Sequence, residues 1–244
     1  MHIPFTGPSA NVCTNAYDKF KTIYILKKAG IRAPQAITFS AGDDLKLPLN
    51  MNFPLFVKPQ RGGCSRGITH LSLKKTQDAF TEKINSVLKE NKESVIVEEF
   101  LPGREFTVGI IGNQPPRVLP MIEFIYKSSK LPFRSYSRKT VNYEIEDTDC
   151  LAELENDDRM VIENLAVSAF IALECRDYAR VDIRMDAFGN PFVLEVNAIP
   201  NLEPETSSFG LMAKHAGISF NELLEKIINT ALNRYGLLDS LKVT

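Results

Sequence analysis

This chain of 244 residues has no tryptophan, only three histidines and only four cysteines. Cys13, Cys64, Cys150 and Cys175 are scattered, with no CxxC pair and no Cys/His spacing. That pattern argues against a zinc site or a disulfide framework and favours reduced thiols. No basic tract or acidic tail stands out, and the net charge is −1. Neither nucleic acid nor an anionic membrane is therefore expected as the main partner. No apolar run is long enough to cross a bilayer. The opening "MHIPFTGPSANV" lacks a basic leader followed by an apolar stretch, so no signal peptide and a cytoplasmic location are expected. No internal repeat or low-complexity segment occurs. The remaining composition, 44% hydrophobic and 24% charged, is that of an ordinary globular protein with room for one large domain or two small ones.

The pattern predicts antiparallel strands with helices between them, an α+β arrangement. "TNAYDKFKTIYILKKAG" reads as one amphipathic helix stopped by Gly30. "FPLFVKP" is a short buried strand, and "ITHLSL" a second one beyond a glycine-rich loop. Residues 76–90 predict a helix with Phe80, Ile84, Val87 and Leu88 on its buried stripe. "SVIVEEFLPGREFTVGIIGN" predicts two strands interrupted at Pro102-Gly103, and "RVLPMIEFIY" one more. Residues 126–150 are polar and aperiodic, a long loop of the kind that often serves as a lid. Residues 158–174 are helical. At the end, Ser219 and Glu222 form a capping box before a stripe of Leu224, Ile227, Ile228 and Ala231.

Three stretches carry chemistry. "RVDIRMDAFGNPFVLEVN" (180–197) reads as a β-hairpin, with turn residues Asp186, Gly189, Asn190 and Pro191 in the middle. Side chains alternate faces along a strand. Val181, Ile183, Leu194 and Val196 are thus expected on one face, with Arg180, Asp182, Glu195 and Asn197 on the other. The polar face offers hard oxygen ligands suited to magnesium; a solvated edge-strand face is the competing reading of the hairpin alone. In "FVKPQRGGCSRG", a strand delivers Lys58 to a loop with Gly62, Gly63 and Gly67, whose backbone N–H groups could cradle phosphate. An ammonium inside an apolar strand requires an anionic partner. In "VIVEEFLPGRE", an apolar strand ends in Glu98 and Glu99, and Glu105 follows a turn. Carboxylates there could accept from an adenine amino group or from ribose hydroxyls.

The order and spacing of "DKFKTIYILKKAGI", "FVKPQRGGCSRGI", "VIVEEFLPGREFTVGIIG" and "RVDIRMDAFGNPFVLEVNAIPNL" resemble the ATP-grasp superfamily, and within it the D-alanine–D-alanine ligases, over nearly the whole chain. The resemblance implies an ATP-grasp fold: two α+β subdomains holding the nucleotide between them. A segment 1–30 would lead into an N-subdomain at 31–103 and a C-subdomain at 104–244. It further implies that Lys19 and Lys58 contact ATP phosphates and that the loop from Arg61 through Gly63, Cys64 and Ser65 to Gly67 closes over them. Glu98 and the backbone of Glu99, Phe100 and Leu101 would hold adenine, and Glu105 the ribose. Lys139, in "YSRKT", would reach the phosphates from the long loop. Asp182, Glu195 and Asn197 would hold two magnesium ions, for which manganese could substitute. Arg180, Lys139 and Ser65 would form the catalytic set. The implied reaction joins a carboxylate to an amine through an acylphosphate, on small amino-acid or dipeptide substrates.

Three departures bear on the substrates. The family's N-terminal domain is expected to be absent, so that the chain would work without it, borrow it from a homodimer or partner chain, or be a truncated gene product. Cys64 stands where the family has a loop serine, and Thr140 where it has a loop tyrosine. Asn201 replaces a glycine after "EVN". The expectation is intact nucleotide binding with an altered amino-acid side: a ligase for another acid or amine, or a nucleotide-binding subunit without turnover of its own, are the alternatives.

Overall fold

The computed structural model describes residues 3–63, 65–91, 93–126, 133 and 147–238, apart from the side chains of residues 91 and 147–150. The expected α+β class holds. A four-stranded antiparallel sheet, in the order β1-β4-β2-β3, is built from β1 (Ala36–Phe39), β2 (Leu55–Pro59), β3 (Leu73–Lys74) and β4 (Val95–Glu99). Helix α3 (Gln77–Asn91) covers it. Its Phe80, Ile84 and Val87 pack with Phe39, Leu55, Val57, Val95 and Val97, in line with the 3.6-residue period of the sequence.

A second antiparallel sheet runs β10-β9-β5-β7-β8, with β6 beside β5. Its strands are β5 (Glu105–Ile111), β6 (Arg117–Val118), β7 (Ile122–Tyr126), β8 (Asp147–Leu151), β9 (Tyr178–Met185) and β10 (Pro191–Asn197). Helices α1 (Ala10–Tyr17), α2 (Lys19–Lys28) and α4 (Asn156–Ala172) bury Phe106, Val108, Val181, Ile183, Val193 and Val196 on one face of this sheet. On the opposite face α5 (Ser208–His215) seats where Gly109 leaves room; a Cβ there would lie 2.8 Å from Met212 Sδ and 3.3 Å from Phe209. Ile111, Ile122, Phe124 and Tyr178 join it there in a second apolar cluster, and the polar groups Glu105, Thr107, Arg180, Asp182 and Arg184 share the same face. Helix α6 (Phe220–Arg234) closes the end with the expected capping box. No helix among the described residues is long and apolar enough to cross a membrane.

Five local expectations need correction. The single helix over 14–30 breaks at Asp18 into α1 and α2, because that side chain caps the second helix. "ITHLSL" is mostly turns, closed by Ile68 N–H to Ser65 O and Ser72 N–H to Thr69 O, and only Leu73–Lys74 pairs as a strand. "RVLPMIEFIY" is two strands, interrupted where Leu119 N–H turns to Gly109 O. Of the loop expected at 126–150, Tyr126 and residues 147–150 are strand, in β7 and β8, which pair with each other, while residues 127–132 and 134–146 lie outside the described residues. The buried stripe of α6 is Leu223, Ile227 and Ala231; Ile228 points outward.

The segment around Gly7 and the last turn of α6 meet at Asp177, which is wholly buried. It accepts from Arg234 (3.0 and 2.7 Å), from Gly7 N–H (2.8 Å) and from Asn113 (3.0 Å). Burial alone would raise this carboxyl, but the hydrogen bonds from Arg234, Asn113 and Gly7, with the charge of Arg234, hold it below the usual carboxylate range. Replacing it leaves the part-buried guanidinium of Arg234 without its counter-charge and the Gly7 and Asn113 donors without their acceptor. Asp177→Ala is expected to cost about 3 kcal/mol in denaturant unfolding. Since the folded pKa is lowered, this contribution is complete above the unfolded carboxylate pKa and is lost as pH falls through the folded one. The difference between wild type and variant should therefore shrink in acid.

Candidate active site

The polar face of β9 alternates as Arg180, Asp182 and Arg184. Each lies opposite a residue of β5: Gly109, Thr107 and Glu105. Asp182 accepts from Thr107 Oγ1 (2.6 Å), from Arg180 Nε and Nη2 (3.0 Å each) and from Asn197 Nδ2 (3.0 Å). Burial would raise its pKa, but the charge and hydrogen bonds of Arg180, helped by Thr107 and Glu195, bring it down to about 2. Arg184 pairs with Glu105 at 2.8 Å, and both are nearly buried.

Opposite Asp182, Glu195 comes from β10, as the hairpin predicts. The register slips between Val193 and Glu195, and the Val193 N–H donates outward to Arg32 O. This bulge turns Val193 and Val196 into the core, while Leu194 and Glu195 both face the cleft. The expected placement of Leu194 on the apolar face is therefore wrong, and Val193 takes its place. Bulges re-aim side chains, and here the effect is to bring a carboxylate and an apolar group to the same wall.

The other wall comes from β2, β4 and the glycine-rich loop. Lys58 Nζ sits 2.8 Å from Glu98 Oε2, with side-chain exposures of 7% and 3%; this is the anionic partner that a lysine within an apolar strand demands. The second oxygen, Glu98 Oε1, is buried and has no hydrogen-bond partner among the described residues. Lys19 reaches the loop and donates to Gly62 O at 2.7 Å. Burial pulls its ammonium below the usual lysine range, and the charge of Glu195 opposes that.

Lys19 is aimed by the helix break. Asp18 accepts from Lys21 N–H (3.1 Å) as the cap of α2, from Gln60 Nε2 (2.9 Å) and from Arg61 Nε (3.2 Å), while Lys19 N–H donates to Gln60 O. One carboxylate thus ties α2 to the start of the loop. Within the loop, Ser65 adopts φ 58° and Gly67 φ 75°, and a Cβ on Gly67 would lie 2.5 Å from Pro59 Cγ. Glycine is required at 67 on both counts.

These walls enclose a cleft of about 870 Å³, its open mouth included. Of the residues predicted from sequence, Lys19, Lys58, Gly63, Ser65, Glu98, Glu99, Phe100, Leu101, Glu105, Arg180, Asp182 and Glu195 line it. Asn197 lies just behind, donating to Asp182 and, at 3.3 Å, to Glu195. Arg61 and Gly67 support the loop from outside the lining. Cys64, Lys139 and Thr140 lie outside the described residues. The N–H groups of Glu99 and Phe100 are already bonded to Gln35 O and Pro54 O, so neither is free for the expected backbone contact with a base.

Sequence reasoning missed Thr107, Arg184 and the aromatic slot. Phe56 makes an edge contact with Phe133 at 4.9 Å and stacks on Phe100 at 6.4 Å. The signal for Arg184 was present, since it continues the 180, 182 alternation; Phe133 lay in the aperiodic stretch and had none.

The floor suits a hard cation. Asp182, Glu195 and Asn197 carry oxygen and nitrogen but no sulfur, and rotating the Asn197 amide turns its Oδ1 to the two carboxylates. No cluster of three or more His, Cys, Asp or Glu exists among the described residues. Magnesium commonly takes one or two carboxylates and completes its shell with substrate phosphates and water, and Asp182 and Glu195 supply two such carboxylates.

Residues 25–229 match the family model of the D-ala D-ala ligase C-terminus. The D-alanine–D-alanine ligase of Carboxydothermus hydrogenoformans is 35% identical over 246 residues, covering 95% of this chain and 74% of that protein. The crystal structure of the D-alanine–D-alanine ligase from Bacillus anthracis complexed with ATP superposes with a TM-score of 0.78 at 26% identity, over 95% of this chain and 71% of that one. The VanG D-Ala:D-Ser ligase of Enterococcus faecalis gives 0.79 at 27% identity, over 94% and 65%. The chain belongs to the D-alanine–D-alanine ligase family, ATP-dependent ligases with the ATP-grasp fold.

Asp18→Ala removes a helix cap and the anchor of the loop together. It is expected to destabilise the protein by about 1–2 kcal/mol in denaturant unfolding. It should also raise hydrogen exchange at 61–63, where a variant affecting only the cap would change α2 alone.

Proposed function

We propose that this chain binds ATP along the cleft and uses it to join the carboxylate of one small amino-acid-like substrate to the amine of another. One observation carries the nucleotide reading. Glu98 Oε1 is a buried carboxylate oxygen with no described partner, beside an aromatic slot. An unsatisfied buried acceptor costs about 1–3 kcal/mol. The exocyclic amino group of adenine is a donor that relieves it, while Phe56, Phe100 and Leu101 offer the apolar contact a purine needs.

In this reading Glu105 holds the ribose, and Lys19, Lys58 and the loop from Arg61 through Gly63, Cys64 and Ser65 to Gly67 surround the phosphates. Lys139 reaches them from the segment after β7. The boundaries 31–103 and 104–244 then divide the two walls, and 1–30 carries Lys19 to their junction. Asp182, Glu195 and Asn197 would hold magnesium, two ions or manganese in their place, which would neutralise and orient the terminal phosphates. Arg180 keeps its guanidinium at the same end of β9, where charge builds up on the reacting carboxyl.

The chemistry follows in two steps. A carboxylate oxygen of the first substrate bonds to the γ-phosphorus as the bond to the β–γ bridging oxygen breaks, giving an acylphosphate and ADP. The amine nitrogen of the second substrate then bonds to the acyl carbon. Phosphate leaves with the former carboxylate oxygen, and the amine loses its proton. Phosphoryl transfer depends mostly on positioning and charge neutralisation, which a floor of arginine and carboxylates facing two lysines provides. Family relatives act on D-alanine with D-alanine or D-serine. The acid and amine here are proposed to be of that size and type.

Magnesium and ATP at about a hundredfold excess over Kd should stabilise the fold by about 2.7 kcal/mol, raising Tm by roughly 5–10 °C. GTP, whose ring carbonyl would face Glu98, should do so far less. Glu195→Gln is expected to lower turnover more than about tenfold while leaving the ligand-free Tm nearly unchanged. Equal shifts with ATP and GTP would contradict the assignment of Glu98.

A further inference from the structure

The β9 polar face ends in Arg184, a group that the ligase reading leaves without a task. Antiparallel register sets it directly across from Glu105, and the two form an ion pair at 2.8 Å. Both line the cleft, and both are nearly buried. The guanidinium lies 4.9 Å from the ring centre of Phe100 and 5.9 Å from that of Tyr126. Its plane is thus held by one carboxylate and by aromatic faces.

Strand geometry gives the pair a position relative to the reacting end. Residues rise about 3.3 Å each along a strand, so Arg184 lies roughly 13 Å from Arg180 and 7 Å from Asp182. A nucleotide with its phosphates over Asp182 and Glu195 would bring its ribose to Arg184 and Glu105, with the base in the slot of Phe56 and Phe100. A ribose hydroxyl both donates and accepts. A carboxylate alone can only accept, and a guanidinium alone can only donate. The ion pair presents both capacities on a rigid strand, and the charge of each stays compensated in a dry site.

We propose that Arg184 is the positioning residue that fixes Glu105 for the ribose, so that the preference for ribonucleotides over deoxyribonucleotides depends on it. This rests on the ATP reading of the cleft and adds a specificity determinant to it.

The test is the affinity of the full chain for ATP, 2′-deoxy-ATP and 3′-deoxy-ATP, each with magnesium. It uses wild type, Arg184→Met, Arg184→Lys and Glu105→Gln, with Tm recorded for every variant. Wild type should prefer ATP to at least one deoxy form by about tenfold, the worth of one hydrogen bond to a charged group. In Arg184→Met and in Glu105→Gln that ratio should fall to within about twofold of unity, through weaker ATP binding and not tighter deoxy binding. Arg184→Lys keeps the charge and the fold but loses the planar fork, and should retain about a threefold preference. A merely structural arginine would weaken all three nucleotides together.

An unchanged ratio in folded Arg184→Met, or in Arg184→Lys if the methionine variant does not fold, would overturn the proposal. So would a wild type that binds ATP and both deoxy forms equally. Absence of ATP binding by wild type would instead overturn the nucleotide reading beneath it.

Discussion

A carboxylate taken out of water must be compensated, and Asp182 is compensated from three strands at once. Arg180 on its own strand, Thr107 on β5 and Asn197 on β10 all donate to it. Each donor in turn is fixed by the antiparallel register that places it there. The core face of the same strands, with Val181, Ile183, Phe106 and Val108, is fully buried, so a one-residue slip would put those side chains in the cleft and Asp182 in the apolar core. Hydrophobic burial thus sets the register, and the register sets the charges. The slack is taken up at a single bulge in β10, which turns Glu195 toward Asp182 without disturbing Val193 or Val196.

The second wall obeys the same rule with different means. Lys58 and Glu98 are held as diagonal neighbours on the same face of paired strands, so the sheet carries a neutral pair where an isolated ammonium would be costly. Lys19 arrives from outside the sheet and depends on Asp18 to stop one helix and start another. The cations nearest the glycine-rich loop are therefore poised by carboxylates that have other work in the fold: Asp18 as a cap, Glu98 as a strand residue with one oxygen left over. An incoming anion meets preorganised positive groups and need not gather them, which is the condition under which electrostatic stabilisation is most effective.

Much of this was legible in the sequence. Turn residues between two β-branched runs marked the 180–197 hairpin, and the period of two placed Asp182 against Glu195. The requirement that a lysine in an apolar strand find an anion foresaw a partner for Lys58, though nothing local identified it as Glu98, forty residues on. The bulge was hidden because Val193 and Leu194 are both apolar, so a slip by one leaves the alternation looking regular. The break at Asp18 was hidden because the flanking apolar residues keep helical spacing through it. Arg184 could have been read from the strand's period but was passed over among charged neighbours, and the strand at 147–151 could not, since "DTDCL" has neither apolar alternation nor β-branched density.

The central claim is that the cleft activates a carboxylate by transferring phosphate to it. The most direct measurement follows oxygen. D-Alanine labelled with ¹⁸O in its carboxylate, a second amino acid, ATP and magnesium are incubated with the chain, and the released phosphate is analysed by mass spectrometry. The account predicts one ¹⁸O in each phosphate released with amide formation, because the former carboxylate oxygen leaves with it. Amide formed with unlabelled phosphate, or with AMP and pyrophosphate in place of ADP, would contradict it.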